Sequence, residues 1–498
     1  MISAEGPPLA RATALVDVLE ALPRELRARK HEVGIAMPYY REIRENSDFA
    51  TKDTGITVDV RVGAKNHVAE FLEGRTAGGV QTFFVRSDEF FDRAGIYGEH
   101  GVPYEDNAAR FIFFCKAALE LARRMTPSPQ ILHLHDWASA LVPVLVHNQQ
   151  LPFATVLTIH HLAEQGSFWG LDFDFTNLPE RYFKPHGVEF FGRLNLFKGG
   201  ILFADKITTV SERYRREMLS FGGGLGLDLV LREHAHRLVG ILNGANYERW
   251  NPETDSLLPR QFGSGYLEGK AVCRDLLLDA LALAPASDVA RASSLRPFEN
   301  GKLEARPTIV FGMVTRLVPE KGFDLLMPLL DRLLSDDVRL IILGEGDPGY
   351  ETALAIAARK YPSKFAYRRT YDEALAHLIE AGADVTLIPS RIEPSGLSAM
   401  YSLKYGALPV ARATGGIQEI IEDYDPTLDP PEAGYGFLCY ENTPDAFWDS
   451  IKRAREIFQD KKLWTTLMER AMSRDFSWEA VAERYEAIYA QLELARAA

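Results

Sequence analysis

The stretch TIVFGMVTRLVPEKGFDLL, residues 308–326, decides the fold class. Its first part, Thr308–Val314, is apolar and rich in β-formers, which predicts a buried strand. The polar segment Arg316–Gly322 predicts a loop, and the apolar spacing from Phe323 predicts an amphipathic helix. A strand, a loop and a helix in this order form the repeating unit of a parallel α/β sheet.

The same alternation continues on both sides of this stretch. In the second half, strands are predicted at Val338–Leu343 and Asp384–Pro389 and helices at Tyr350–Arg359, Gly396–Tyr405 and Trp478–Leu494. In the first half, strands are predicted at Val33–Met37, Gln81–Val85, Gln130–Leu134, Ala154–Ile159, Lys206–Val210 and Leu238–Leu242, and helices at Glu105–Arg124 and Glu189–Phe203. The chain is therefore predicted to be α/β throughout.

The alternation is interrupted at residues 243–255, NGANYERWNPETD, which are rich in turn-forming residues. This interruption predicts a hinge between two Rossmann-like domains, with a crevice between them. Ligands of such sheets bind beyond the carboxyl ends of the strands. The segment Pro285–Pro307 has the composition of a loop and is predicted to be an exposed insertion.

Composition excludes several classes of protein. The 498 residues carry 56 Lys and Arg against 69 Asp and Glu, a formal charge of −13, which argues against nucleic acid or an anionic membrane as partner. Cys115, Cys273 and Cys439 lie far apart, which excludes a disulfide framework and fits a reducing compartment. No signal peptide or long apolar run is evident, so the expected location is cytoplasmic.

The segment Ser390–Leu397, SRIEPSGL, follows a predicted strand and opens a predicted helix. Backbone N–H groups at such a helix start form an anion site. Glu393 beside an anion makes electrostatic sense only if it binds a hydroxyl-bearing group such as a sugar. The alternative is a plain turn with an exposed glutamate.

Arg316 and Lys321 are two cations on the loop that follows the strand Thr308–Val314. Two cations at the carboxyl end of a strand suit a pyrophosphate, because Arg offers a forked donor and Lys a point charge. The alternative is that both are ordinary surface cations. The helix start at Gly396, expected on the same sheet, favours the anion site.

A third group of polar residues lies in the first half, where His135-Asp136 and His160-His161 each follow a predicted strand. Their spacing matches no metal-ligand pattern, so no metal site is predicted and these residues are expected to line the crevice. Gly344-Glu345-Gly346 is too short a motif to indicate a nucleotide site.

Several blocks of the chain, in the same order, resemble the bacterial glycogen synthases and plant starch synthases that use ADP-glucose. They are YEDNAARFIFFCKAALEL (104–121), HDWASALVPV (135–144), TIHHLAEQG (158–166), GVEFFGRLNLFKGGILFADKITTVS (187–211), ILNGANYERWNP (241–252), RLVPEKGFDLL (316–326) and YDEALAHLIEAGADVTLIPSRIEPSGL (371–397). The resemblance covers nearly the whole chain.

The resemblance implies a GT-B architecture, with two Rossmann-like domains facing an interdomain cleft. Residues 1–243 would form the acceptor-side domain, residues 244–477 the nucleotide-sugar donor domain, and residues 478–498 a helix that crosses back to the first domain. It further implies transfer of glucose from ADP-glucose to the non-reducing end of an α-1,4-glucan with retention of configuration, with no metal, cofactor or covalent enzyme intermediate.

The resemblance also implies a set of catalytic residues. Arg316 and Lys321 would neutralise the departing ADP, Glu393 would hold the hydroxyls of the glucosyl ring, and His160 and Asp136 would line the sugar pocket. The donor-binding residues implied are Arg11, Asn243, Tyr371, Ser395, Gly396, Leu397 and Ser398, with Tyr371 placed to stack on adenine.

The chain departs from the family pattern near its start. Where the family has Lys-x-Gly-Gly-Leu, this chain has Arg11-Ala12-Thr13-Ala14-Leu15, which keeps a cation but neither glycine. Further departures are Glu320, Glu164, Ser395 and Ala399. Two alternatives therefore stay open: a degenerate glucan- or nucleotide-binding paralogue with little turnover, and a related retaining glucosyltransferase that uses UDP-glucose or another acceptor.

Overall fold

The computed structural model describes residues 1–7, 10, 13, 15–47, 49–99, 101–283, 295–297, 303–305, 308–427 and 434–497. The chain divides into two compact units. The first comprises Met1–Asn246 together with Ser477–Ala498, and the second comprises Tyr247–Phe476. No helix within the described ranges is long and apolar enough to cross a membrane.

The first unit is built of short strands and helices. Its strands are β1 Gly34–Pro38, β2 Lys52–Val62, β3 Lys65–Arg75, β4 Gln81–Arg86, β5 Gly98–Glu99, β6 Val102–Pro103, β7 Ile131–His135, β8 Ala154–Ile159, β9 Ser167–Phe168, β10 Glu189–Phe190, β11 Arg193–Asn195, β12 Lys206–Thr209 and β13 Leu238–Gly240. Its helices are Leu15–Ala28, Arg41–Glu45, Asp88–Phe91, Asn107–Arg124, Val142–Gln149, Leu196–Phe203, Glu212–Met218, Asp228–Glu233 and Trp478–Ala497, with 3-10 turns at Trp137–Ser139, Gly170–Thr176, Glu180–Tyr182 and Ala235–Arg237.

The main sheet of this unit is parallel on one side and mixed on the other. Strands β13, β12, β8 and β7 lie side by side in parallel, and β1, β4, β3 and β2 form a second group. Ile2 joins the two groups, because it forms parallel bridges to Leu134 of β7 and to Ala36 of β1. The carboxyl ends of β7, β8, β12 and β13 therefore share one edge.

The last helix of the chain, Trp478–Ala497, packs against the first helix, Leu15–Ala28, within this unit. Leu19 and Leu22 of the first helix and Tyr485 of the last belong to one buried apolar cluster. Each large apolar side chain buried in this way stabilises the fold by about 1.5–3 kcal/mol relative to exposure.

The second unit contains a six-stranded parallel sheet with helices and a separate pair of short strands. The described strands of this part of the chain are β14 Leu295–Pro297, β15 Leu303–Ala305, β16 Ile309–Val314, β17 Val338–Leu343, β18 Phe365–Arg368, β19 Val385–Ile388, β20 Leu408–Arg412 and β21 Phe437–Cys439. The helices are Glu268–Ala280, Phe323–Leu326, Leu330–Leu334, Pro348–Lys360, Glu373–Gly382, Leu397–Lys404, Ile417–Ile420, Pro444–Ile457 and Lys461–Met472, with 3-10 turns at Pro319–Lys321 and Met327–Leu329.

The strand order in this sheet is β18-β17-β16-β19-β20-β21. The chain runs outward from β16 to β18, then returns to the other side of β16 and runs outward from β19 to β21. This is the order of a Rossmann fold, whose ligand site lies where the direction of progression reverses. The reversal falls between β16 and β19, and the α/β fold class predicted from sequence is confirmed.

The prediction of one helix at Glu189–Phe203 was wrong in its first half. Residues 189–195 form the hairpin of β10 and β11, and only Leu196–Phe203 is helical. The turn of the hairpin contains Gly192 with φ +77°, a value that glycine adopts without strain. The side chain of Asn195 then accepts the N–H of Lys198 at 2.8 Å and caps the helix.

Two other segments differ from expectation. The long hairpin of β2 and β3 was not predicted, because its two strands carry many exposed polar residues and little apolar alternation. The predicted insertion Pro285–Pro307 lies mostly outside the described residues, within which β14 and β15 form a short antiparallel pair.

Candidate active site

The two loops singled out in the second half of the sequence follow neighbouring strands. Arg316–Gly322 follows β16 and Ser390–Gly396 follows β19, at the reversal point of the sheet. The Nζ atom of Lys321 lies 2.6 Å from the Oε2 atom of Glu393. The structure therefore brings together the cation and the carboxylate that the sequence singled out.

Glu393 is a buried carboxylate with two donors on one oxygen. Only 6% of the residue is exposed, and its Oε2 atom accepts hydrogen bonds from Lys321 Nζ and from Ser390 Oγ at 2.9 Å. Its Oε1 atom has no hydrogen-bond partner within the described part of the chain. Pairing of this kind offsets the cost of burying a charge and leaves one oxygen available to a ligand hydroxyl.

Glycines allow the loops around Glu393 to approach one another. Gly322 has φ +73°, and a Cβ atom there would lie 1.9 Å from the carbonyl oxygen of Pro389. A Cβ atom at Gly415 would lie 2.1 Å from the carbonyl oxygen of Glu393, and the N–H of Gly416 donates to that oxygen at 3.0 Å. Any larger residue at Gly322 or Gly415 would displace the backbone that carries Glu393.

The helix Leu397–Lys404 presents its amino end beside Glu393. Gly396 precedes it with φ +72°, and no side chain caps its first turn. Among the described residues, the N–H groups of Ser395, Gly396, Leu397 and Ser398 donate no hydrogen bond. Unsatisfied N–H groups at a helix start attract anions.

Arg316 is exposed, and its guanidinium contacts no partner within the ranges described. The glycines after β17, Gly344 and Gly346, support the loop that carries Arg316. A Cβ atom at Gly344 would lie 1.7 Å from the carbonyl oxygen of Thr315, and the N–H of Leu317 donates to the carbonyl oxygen of Glu345 at 2.8 Å. A glycine directly after β17, next to the polar loop that follows β16, was the available signal for this contact.

Tyr371 lies three residues beyond the end of β18, two strands from β16 in the same sheet. It is 51% exposed. The structure therefore puts Tyr371 at the same edge of the sheet as Lys321 and Glu393, beyond the carboxyl end of β18.

In the first unit, Asp136 follows β7 with φ +57°, an unusual value for a residue other than glycine. Its Oδ1 atom accepts the N–H groups of His160 at 2.8 Å and of His161 at 3.4 Å. Burial raises the pKa of Asp136 to about 8, although the two N–H donors act to lower it. The carboxyl group is therefore mostly protonated at pH 7 and can donate a hydrogen bond.

His160 follows β8, and its Nε2 atom lies 3.0 Å from the Nδ1 atom of His135. Burial lowers the pKa of His160 to about 3, and burial together with the neighbouring His133 and His160 holds the pKa of His135 well below its ordinary value. Both imidazoles are therefore neutral at pH 7. The ring centres of His135 and His133 are 4.3 Å apart. The Nδ1 atom of His133 contacts the hydroxyl of Tyr489 at 2.7 Å.

Asn243 lies just beyond β13, at the same edge of the sheet as Asp136 and His160. The residue is 3% exposed, and its Oδ1 atom has no hydrogen-bond partner among the residues described. A buried polar atom without a partner is costly unless a ligand satisfies it. The Oδ1 atom of Asn243 is therefore available to a ligand donor, and the donor-binding role of this residue stays a prediction.

Arg11 lies outside the described residues, as do Ala12 and Ala14, but Thr13 is described. Its N–H and its hydroxyl donate to the Oε2 atom of Glu5 at 2.7 and 3.0 Å. The Thr13 oxygen accepts the N–H of Leu15 at 3.2 Å, at the start of the first helix. Thr13, which stands where the family has a glycine, thus fixes the end of this loop to Glu5 and to the start of the first helix.

Glu5 is a further residue of this region, and it was not predicted from the sequence. Glu5 is 1% exposed, and its Oε1 atom accepts the hydroxyl of Tyr97 at 3.0 Å while its Oε2 atom accepts Thr13. Its negative charge also contributes to the raised pKa of Asp136. An isolated glutamate near the chain start, followed by glycine and proline, carried too little pattern for the contact to be predicted.

Within the described ranges, no group of three or more His, Cys, Asp or Glu side chains is arranged to hold a metal ion. The second unit offers a paired ammonium, an unpaired guanidinium and free N–H groups, which suit a phosphate. The first unit offers two neutral hydrogen-bonding side chains and an unpartnered amide oxygen, which suit sugar hydroxyls.

Both halves of the chain match known families of enzymes. The starch synthase catalytic domain family matches residues 1–233, and the family of glycosyl transferases group 1 matches residues 297–466. The catalytic domain of starch synthase IV from Arabidopsis thaliana, solved with ADP and acarbose, is 30% identical, with a TM-score of 0.88 over 99% of this chain and 98% of that one. The sucrose-phosphate synthase of Thermosynechococcus elongatus, 17% identical with a TM-score of 0.58, shares the fold.

Fold and matches together define a glycosyltransferase of the GT-B class. A glycogen synthase of Anaeromyxobacter dehalogenans is 40% identical over 99% of this chain and 98% of its own length. A glycogen synthase of Koribacter versatilis is 38% identical over the same shares. The chain belongs to the glycogen synthase family.

Proposed function

We propose that the chain is a glycogen synthase that transfers glucose from ADP-glucose to the non-reducing end of an α-1,4-glucan with retention of configuration. The observation that carries the proposal is the Lys321–Glu393 pair at the reversal point of a Rossmann sheet, in a chain that matches glycogen synthases over nearly its full length.

The proposed reaction exchanges one glycosidic bond for another. The bond between C1 of glucose and the β-phosphate oxygen of ADP-glucose breaks, and the bonding electrons leave with ADP. The acceptor O4 atom bonds to C1 on the face that ADP leaves, and its proton passes to a phosphate oxygen of ADP. No group on the protein is glucosylated in this scheme.

Negative charge grows on the diphosphate as the bond breaks, so cations held ready at that position lower the barrier. Lys321 and Arg316 supply this charge in the proposal. The Oε2 atom of Glu393 aligns the Lys321 ammonium, and the unbonded N–H groups of Ser395–Ser398 bind phosphate or sugar oxygens.

The sugar is held by hydrogen bonds. Glu393 Oε1, which has no partner in the described structure, accepts a glucosyl hydroxyl. The neutral His160 and the protonated Asp136 are each able to donate a hydrogen bond to the ring, and the Oδ1 atom of Asn243 accepts one. Arg11 is proposed to approach the donor phosphates and Tyr371 to stack on adenine.

The test is elongation of maltotriose, analysed by separating the products by length. With ADP-glucose and EDTA present, we expect maltotetraose and longer products that β-amylase degrades, because new α-1,4 bonds require retention. Elongation only with UDP-glucose would assign another donor. Activity that needs Mg²⁺ or Mn²⁺ would contradict the metal-free scheme.

A further inference from the structure

The imidazole of His160 is in contact with a second, buried imidazole. His135 is the last residue of β7, and His160 directly follows the neighbouring strand β8. The Nδ1 atom of His135 lies 3.0 Å from the Nε2 atom of His160, and the two ring centres are 5.3 Å apart. His135 is 1% exposed and His160 is partly exposed, so a ligand reaches His160 and not His135.

Two successive residues at the end of β7 hold His160. The Oδ1 atom of Asp136 accepts the backbone N–H of His160 at 2.8 Å, and His135 contacts the imidazole. The backbone and the ring of His160 are therefore fixed separately. Within the described part of the chain, the Nδ1 atom of His160 forms no hydrogen bond, which leaves this nitrogen for a ligand.

The ring of His135 is itself held in place by His133. The two residues are two positions apart on β7, so their side chains lie on the same face of the sheet. Their ring centres are 4.3 Å apart, with the planes inclined by 30°. His133 is engaged at both nitrogens, since Nδ1 contacts the hydroxyl of Tyr489 at 2.7 Å and Nε2 contacts the hydroxyl of Thr158 at 2.6 Å.

The hydrogen bond between His135 and His160 contains a single proton, because both imidazoles are neutral at pH 7. If the Nε2 atom of His160 donated this proton, the proton of His135 would lie on Nε2, a buried atom without a partner among the described residues. A buried N–H without an acceptor is costly, and among backbone groups it is rarer than an acceptor that lacks a donor. The geometry therefore favours His135 Nδ1 as the donor.

This direction of the hydrogen bond decides which nitrogen of His160 carries its proton. In a neutral imidazole, a nitrogen that accepts a hydrogen bond has no proton, so the other nitrogen carries it. With Nε2 accepting from His135, the proton of His160 lies on Nδ1. The free nitrogen of His160 is then a hydrogen-bond donor.

We propose that His135 is a positioning residue, which donates from Nδ1 to the Nε2 atom of His160 and thereby presents the Nδ1–H of His160 to a hydroxyl of the donor sugar. The inference rests on the proposed function, which brings a sugar to His160. A donor whose direction is fixed before the substrate binds needs no ordering during transfer.

The tautomer of His160 is measured by NMR of the full chain labelled with ¹⁵N in its histidine rings, where the couplings between ring protons and nitrogens distinguish Nδ1–H from Nε2–H. Loss of signals in His160→Gln identifies those of His160. We expect Nδ1–H in the wild type and a shift toward Nε2–H in His135→Phe, which removes the donor. The Nε2–H tautomer in the wild type would overturn the proposal, and this measurement does not depend on the folding of any His135 variant.

Kinetics measure the consequence for transfer from ADP-glucose to glycogen. His135→Phe keeps a planar ring without a donor and should lower kcat roughly 10–10²-fold, because a misplaced group near the reacting atoms costs about this much. The affinity for ADP should stay near that of the wild type. His135→Asn places an amide N–H near the position of Nδ1 and should recover most of the lost kcat.

Tyr489→Phe is the matched control, because it removes one hydrogen bond of the same buried group at His133 and none at His160. Its kcat should be near that of the wild type. An unchanged kcat in His135→Phe would overturn the proposal, and so would an equal fall in His135→Asn, which would show that ring packing matters and the donor does not. Absence of transfer by the wild type would count against the proposed function, and the tautomer of His160 would then decide the proposal for His135.

Discussion

The Nζ atom of Lys321 lies 2.6 Å from the Oε2 atom of Glu393, although the two residues are separated by 72 positions in the sequence. Adjacent parallel strands end at the same edge, so the loop after β16 meets the loop after β19. In the proposed mechanism, Lys321 stabilises the negative charge of the departing ADP and Glu393 holds the sugar, so the contact links these two roles.

Lys321→Ala should lower kcat with ADP-glucose roughly 10²–10³-fold and change KM for the donor far less, because the charge acts mainly as ADP departs. Steady-state kinetics on glycogen measure both parameters. Lys360→Ala, which removes an exposed lysine paired with Asp331 in the same unit, should leave both near wild type. A rise in KM alone would mean that Lys321 contributes uniform binding and that its assigned role is wrong.

Glu393→Gln should lower turnover by about 10²-fold or more while ADP binds nearly as before, since the side chain addresses the sugar. Glutamine keeps an oxygen that accepts the Ser390 hydroxyl, so the loop should hold its shape. Calorimetric titration with ADP separates the two effects, with the exposed Glu268→Gln as control. Collapse of ADP affinity in Glu393→Gln would show that the glutamate acts on the nucleotide.

Asp136→Asn should change the pH dependence of stability. The pKa of Asp136 is raised from 3.8 to about 8, so its favourable contribution is present below pH 4 and is lost as the pH rises toward 8. The unfolding free energy of Asp136→Asn minus that of the wild type should therefore increase between pH 5 and pH 8.5, by roughly 4 kcal/mol.

Denaturant unfolding at the two pH values measures this difference. The matched control is Asp59→Asn, which makes the same substitution at an exposed aspartate on β2. A pH-independent difference for Asp136→Asn would show that this carboxyl is ionised in the folded chain at neutral pH.

Restoring the family loop should trade stability for turnover. The triple change Arg11→Lys, Thr13→Gly and Ala14→Gly should raise turnover with ADP-glucose, because a misplacement near 1 Å can cost on the order of 10²-fold. It should also lower the unfolding free energy by about 1–2 kcal/mol, because Glu5 loses the hydroxyl donor of Thr13 and the N–H of Leu15 loses its acceptor. Thr13→Ser retains the hydroxyl and should be as stable as wild type. Equal turnover of the triple variant and wild type on every donor would show that this loop does not take part.

The position of the second-unit site was predictable, since parallel strands with polar loops must meet at one edge. The contacts that complete this site were not predictable. At Gly415 and Gly344 another stretch of backbone comes close to the glycine, and such an approach leaves no pattern of side chains in the sequence. In the first unit, the position of Asp136 and His160 after two parallel strands was predicted from the sequence. The contact between Thr13 and Glu5 was not predicted, because it depends on the geometry of a loop. The roles of the site residues remain predictions.

The errors in secondary structure have local causes. The sequence predicts helix at the hairpin β10–β11 because the apolar residues there fall at a spacing that suits either structure. The turn at Gly192, with its positive φ, favours the hairpin. The hairpin β2–β3 has one face largely exposed, so its hydrophobic alternation is weak.

The most direct test of the central claim is transfer of radioactive glucose from ADP-glucose to glycogen by the wild-type chain, with UDP-glucose assayed separately. We predict that radioactivity enters glycogen from ADP-glucose and that Lys321→Ala reduces the rate roughly 10²–10³-fold. Absence of incorporation from either donor would contradict the account and assign the chain to the non-catalytic glucan- or nucleotide-binding class.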